Sequence, residues 1–370
     1  MQKKLFQWTP LCVLFFFFLP YIGELGRAVF EPLGKYYYVI LALIAFSEAF
    51  VRRLVLHRDG LFRWMLRGFF IPCGVVAAAM AASWFFCENT VDNCAFAVVI
   101  AFFCCYFCAL PETQAFLRRL GAGAMLCLGV MALVTLLEGK ASHFNPNSYG
   151  FISCAMFLFG SLYFFAGEKP VYRQPLFWGS LVAAVCLISP VYGCETQLVC
   201  LGFFLVWLCL LPLISGRKWR FVCATGAVFA VVLFLPLVTY VLIDWGVLPT
   251  SFITDRGERW NETMAALQEV GLFRVARQMV RPHNGFLDMA VKYGVIPGLG
   301  VYVGLFFMVL RCYSAVRSSK TNGAIYSILM TFLLMNSVES FFVGLTDCYY
   351  LLLALALLFV RAQREGASCG

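Results

Sequence analysis

The run FVCATGAVFAVVLFLPLVTYVLI, residues 221–243, passes without a break into DWGVLPTSFITDRGERWNETMAALQEVGLFRVARQMVRPHNG, residues 244–285. The first stretch carries no charge and is long enough, at 1.5 Å per helical residue, to cross a hydrocarbon core about 30 Å thick. The second is hydrophilic, holds Arg256, Arg259, Arg274, Arg277 and Arg281, and ends in Pro282-His283-Asn284. Elsewhere apolar runs alternate with short polar joints, so the fold is read from the first stretch and the chemistry is sought in the second.

Working outward, the same apolar pattern recurs along the chain, which is 62% hydrophobic and only 13% charged. Such a composition excludes a compact soluble globule and predicts an all-α, polytopic integral membrane protein. About twelve transmembrane helices are expected, at 5–22, 36–51, 66–86, 94–110, 121–137, 149–166, 176–192, 196–214, 221–243, 286–310, 324–340 and 349–360. No soluble domain separates from them, so residues 1–370 form one transmembrane domain with 244–285 as its long external loop. Lys3 and Lys4 ahead of an apolar run imitate a secretion signal, but Pro20-Tyr21-Ile22-Gly23-Glu24 is a poor cleavage site, and a first membrane helix is expected instead.

Basic residues set the orientation, because loops rich in Lys and Arg resist translocation. With the N-terminus inside, 19 of the 28 Lys and Arg residues fall on the inner side. Of the other nine, five are the arginines of 244–285, which therefore sit outside against the charge rule. The net charge of +9 reads as topology rather than as a nucleic-acid surface. Cysteines 104, 105, 108, 127, 154, 186, 200, 209 and 223 lie inside spans, where thiols pack as small apolar groups. Cys87 and Cys94 flank a short external joint and could pair where the outside is oxidising.

Within the external loop, Thr254 or Asp255 can cap a helix running to Val270, with Trp260, Met264, Leu267 and Val270 at helical spacing and thus turned towards the membrane. After Gly271 a second short helix would place Arg274, Arg277 and Arg281 on one face, until Pro282 ends it. An arginine stripe alone fits a helix drawn to anionic lipid headgroups. That account leaves His283, directly after the stripe, without a role. Fixed cations beside a titratable imidazole suit a multiply charged anion, such as a diphosphate, held while a proton moves. The other external joint of interest is Lys140-Ala141-Ser142-His143-Phe144-Asn145-Pro146-Asn147.

These residues resemble a known family. His283-Asn284 followed after nine residues by Gly294 is similar to the His-(Asn/Ser/Gln)-x9-Gly signature of the bacterial O-antigen ligase and polymerase superfamily. Arg256-x3-Trp260 resembles the segment that opens that family's large periplasmic loop, and Asn145-Pro146-Asn147-x2-Gly150 resembles one that begins an earlier span. Two departures stand out: the small residue after Gly294 comes one position late, at Gly298, and no arginine precedes the Asn-Pro-Asn segment.

The resemblance implies a glycosyltransferase C-like fold in the bacterial inner membrane, with cytoplasmic termini and a periplasmic site. It implies transfer of a glycan from undecaprenyl diphosphate to an acceptor hydroxyl such as a lipid A-core sugar, with no metal or other cofactor and no nucleic-acid partner. A repeat-unit polymerase for O-antigen, capsule or exopolysaccharide shares those motifs. A lipid-linked oligosaccharide flippase is the alternative of another class, though it would more often show broken helices and internal repeats. On the transferase reading, His283 is the general base and Arg256, Arg259, Arg277 and Arg281 hold the diphosphate. Lys140, His143, Asn145, Asn147, Asn284 and Asp288 are candidates to contact or orient the acceptor, and the outer carboxylates Glu195, Asp288, Glu339 and Asp347 to balance arginines or orient His283.

Overall fold

The computed structural model describes residues 9–34, 36–56, 102–103, 106–107, 110, 113–141, 143–249, 256–270, 282–339 and 345–368. The expected span 66–86, nearly all of 94–110, the Cys87–Cys94 pair, the cap at Thr254 or Asp255, and the second short helix with Arg274, Arg277 and Arg281 lie outside the described residues. Every regular element among the described residues is helical. In chain order these are α1 (Thr9–Phe18), α2 (Gly23–Phe30), α3 (Tyr36–Leu56), α4 (Gln114–Glu138), α5 (Pro146–Phe165) and α6 (Pro175–Cys186). They continue as α7 (Glu195–Ser215), α8 (Lys218–Asp244), α9 (Arg256–Val270), α10 (Gly285–Tyr293), α11 (Val295–Arg311), α12 (Tyr313–Ser318), α13 (Lys320–Met335) and α14 (Leu345–Ser368).

Four described helices, α4, α5, α7 and α8, are long and apolar enough to cross a membrane, and α1 with α2 makes a fifth if that bent pair is one span. Their burial differs sharply: 83% of the apolar window of α5 is inside the protein, against 33%, 28% and 33% for α4, α7 and α8. Leu126, Leu136, Val199, Val206 and Phe234 are exposed on those outer helices, a surface that only a hydrocarbon solvent would tolerate. The protein is therefore membrane-embedded, with α5, α13 and the apolar part of α14 at its centre.

Hydrogen bonds tie the joints together at two opposite ends. At one end Gln114 donates to Thr321 at 3.3 Å, Thr321 donates to the Phe165 carbonyl at 3.0 Å, and Arg361 donates to Asn322. At the other, the Glu24 amide donates to Glu138 at 3.2 Å, and the Gly285 amide donates to the Asn336 carbonyl at 2.8 Å. The joints at this second end are those that the basic-residue count places outside.

Two expected spans are broken. The first, 5–22, stops at Phe18, passes through a tight turn at Leu19–Tyr21 and bends by 100° into α2. Pro20 has no N–H to give the Phe16 carbonyl, and the Tyr37 hydroxyl donates to that carbonyl instead. The span expected at 286–310 is two helices meeting at Gly294, whose φ of 94° suits glycine alone. Pro297, three residues on, likewise lacks an N–H to continue the ladder. α11 then folds back on α10 so closely that a Cβ on Gly298 would lie 3.2 Å from the Ala290 nitrogen. That contact gives the small residue at 298 its structural reason.

Candidate functional site

The site is built from a proline in a neighbouring helix. Pro236 cannot donate to the Val232 carbonyl four residues earlier in α8, and in a membrane no water would do so. The Asn284 side chain takes that carbonyl at 3.1 Å and the Ser337 carbonyl at 2.9 Å, while its oxygen caps α10 by accepting from the Leu287 amide at 3.0 Å. Val232 lies twelve residues inside the Asp244 end of α8, about 18 Å along the axis. The His283-Asn284 turn thus packs at the level of Val232 in α8 and of Ser337 just past the end of α13, and α8 runs on beyond it.

On the other flank of His283, the Trp260 indole donates to the Pro282 carbonyl at 2.6 Å. Trp260 is fully buried in a small apolar cluster with Leu267, Leu287, Ala290 and Val291, joined by Leu235 of α8 and Met264. The apolar face of α9 therefore packs on α8 and α10, and protein takes the place that its spacing had assigned to lipid. Gly285 permits a close approach: a Cβ there would lie 2.2 Å from Asn336 Oδ1 and 2.4 Å from the Tyr302 hydroxyl. Held on both sides, His283 adopts φ 49°, the one positive φ at a non-glycine residue among the described residues. Such a conformation costs about 1–3 kcal/mol and persists only where the surroundings impose it.

The imidazole lies between opposite charges. His283 Nδ1 is 3.4 Å from Glu339 Oε2, and Nε2 is 3.4 Å from Arg259 Nη1. A guanidinium can only donate, so Nε2 is the acceptor and the proton sits on Nδ1, facing the carboxylate. The other oxygen of Glu339 accepts from Arg256 Nη2 at 2.8 Å, and Arg256 Nε donates to the Val338 carbonyl at 2.9 Å. Arg256 and Glu339 side chains are each 16% exposed and His283 is 29% exposed, so the cluster is screened from solvent but open at the ring. This arrangement can accept a proton at Nε2 while a carboxylate stabilises the resulting cation from behind.

The remaining sequence candidates divide. Arg256, Arg259 and His283 are brought together; Arg277 and Arg281 lie outside the described residues. Asn284 is fully buried and Asp288, in the first turn of α10, is 3% exposed, so both belong to the support beneath the site. His143 forms a second cluster at the same end. Its Nε2 donates to the Pro20 carbonyl at 2.9 Å, which leaves Nδ1 to accept from the Tyr149 hydroxyl at 3.1 Å. Asn145 caps α5 by accepting from the Asn147 amide at 2.9 Å, and Lys140 lies 5.7 Å from the centre of the Tyr192 ring. Gly150 leaves room for Cys194, since a Cβ there would come 2.5 Å from the thiol. Burial pushes that thiol up to about 11, against a backbone hydrogen bond at Gly150 that lowers it; Glu339 adds to the rise and Lys140 opposes it. Among the described residues no three His, Cys, Asp or Glu side chains converge as a metal site.

Glu339 is the residue that sequence reasoning placed least well. It stood as one of four outer carboxylates that could balance arginines or orient His283, and nothing in the chain singled it out among them, 56 positions from that histidine. Its signal was an acidic residue at the outer end of an apolar run, rare in a chain with 13% charged residues. Comparison with known protein families finds no model that matches this chain, and no curated protein matches it either.

Proposed function

We propose that the protein is a glycan transferase of the O-antigen ligase type, acting at the outer face of a bacterial inner membrane with both termini cytoplasmic. The observation that carries this reading is the ring of His283, with Nε2 as its basic nitrogen, set between Glu339 and Arg259 at the mouth of an arginine-bearing loop. His283 Nε2 takes the proton of an acceptor hydroxyl, whose oxygen bonds to the anomeric carbon of the donor glycan. The anomeric C–O bond breaks with its electron pair going to the diphosphate, and undecaprenyl diphosphate leaves. Arg259, with Arg277 and Arg281, steadies the charge on that leaving group. In the structure Arg259 faces the basic nitrogen, so the diphosphate must draw it aside before the acceptor proton can be taken.

The direct test uses purified protein in lipid nanodiscs with an undecaprenyl-diphosphate glycan and a sugar-hydroxyl acceptor. Release of undecaprenyl diphosphate with a glycosylated acceptor supports the reading; a donor that remains intact contradicts it. A ligase and a repeat-unit polymerase then separate by whether the preferred acceptor is a lipid-core sugar or a second lipid-linked repeat. The breaks at Ile22 and Gly294 favour a second reading, a flippase for the same lipid-linked glycan. Movement of intact donor between leaflets would identify it.

A further inference from the structure

We infer that Glu339 is a positioning residue: it holds the His283 ring and fixes the proton on Nδ1, so that Nε2 remains the base. This rests on the proposed role of His283 and adds a residue and a lock to it. Arg256 is part of the lock, because its Nη2 and Nε are engaged by Glu339 Oε1 at 2.8 Å and the Val338 carbonyl at 2.9 Å. The diphosphate is left to Arg259 and the arginines beyond it.

The two-sided bonding of Glu339 makes the claim sharp. In a Glu339→Gln variant, Arg256 Nη2 still requires an oxygen, so the amide turns its C=O to Arg256 and its NH2 to His283. Two donors cannot face one another, so Nδ1 must become the acceptor and the proton moves to Nε2, from which Arg259, unlike the variant's amide held by Arg256, is free to swing aside. The ring is then in the tautomer that cannot take a proton from the acceptor where it is needed, while shape and size hardly change. A role that was only structural would lower stability without inverting the tautomer.

The experiment is nitrogen NMR of the full chain labelled with 15N-histidine in nanodiscs, beside transfer and donor-binding assays. The chain has three histidines, which simplifies assignment. For the wild type we expect Nε2 unprotonated; for Glu339→Gln, protonated Nε2, donor binding within about twofold and transfer lower by roughly 10²–10⁴-fold, the scale of tautomer inversion at a catalytic histidine. Glu339→Asp keeps an acceptor for both partners and should keep the wild-type tautomer, with transfer at roughly a tenth, which guards against a misfolded Gln variant. An unchanged tautomer in Glu339→Gln, or transfer within about threefold of wild type, overturns the inference. If the wild type itself transfers nothing, the proposed function fails, and the tautomer alone decides whether Glu339 positions the ring.

Discussion

His143 and His283 sit at the same end of the bundle, and each has both ring nitrogens engaged, yet they are bound in opposite ways. His143 is fastened by a backbone carbonyl and by the hydroxyl of Tyr149, a fully buried residue whose ring stacks on Tyr192 at 4.8 Å. His283 is held by a carboxylate and a guanidinium at longer distances, on a backbone forced into a positive φ. Neutral partners fixed by packing make a fastener, since nothing a ligand brings would displace them. Of these ionised partners Arg259, at the tip of a long side chain, can exchange for a charged substrate, while Glu339, held by Arg256, and the strained backbone keep the ring in place. Residue type alone did not separate the two histidines; the nature of their partners does.

The largest effect expected from breaking this contrast is at the support of His283. Gly285→Ala places a methyl group within 2.5 Å of Asn336 and the Tyr302 hydroxyl, so either these two buried side chains or the turn carrying His283 must shift. We expect a loss of about 3 kcal/mol or more, the upper range for overpacking, with transfer abolished. Thermal unfolding of the purified variant checks the first, and the transfer assay the second.

A smaller effect is expected at the fastener. His143→Phe removes bonds to Pro20 and Tyr149, leaving a buried carbonyl without its donor, and should lower stability by about 1–3 kcal/mol. Transfer per folded molecule should stay near the wild-type value. If stability were unchanged and transfer were lost, His143 would belong with His283, and the contrast would collapse.

The sequence made some of this legible and hid the rest for physical reasons. Runs such as 121–137 and 196–214 lie within α4 and α7, because a continuous apolar run in a membrane has only helix to satisfy its backbone. The helix beginning at Arg256, with Trp260 on its apolar face, was legible from its spacing. Which surface that face covers was not, because lipid and protein interior are equally apolar. The break at Gly294 was hidden for the same reason: its flanking residues continue the hydropathy of a single span. The pairing of Asn284 with Val232 follows from Pro236, but only once α8 and the His283 turn are known to touch. Glu339 reaches the site in the same way, through the packing of α8, α10 and α13.

The most direct test of the account is the rate of glycan transfer by His283→Ala and His143→Phe, each purified, at equal donor occupancy. The account predicts that His283→Ala binds donor normally, since the arginines remain, and transfers it at a rate lower by roughly 10²-fold or more. His143→Phe should stay within about threefold of wild type. Normal turnover by His283→Ala, or equal losses in both variants, would contradict it.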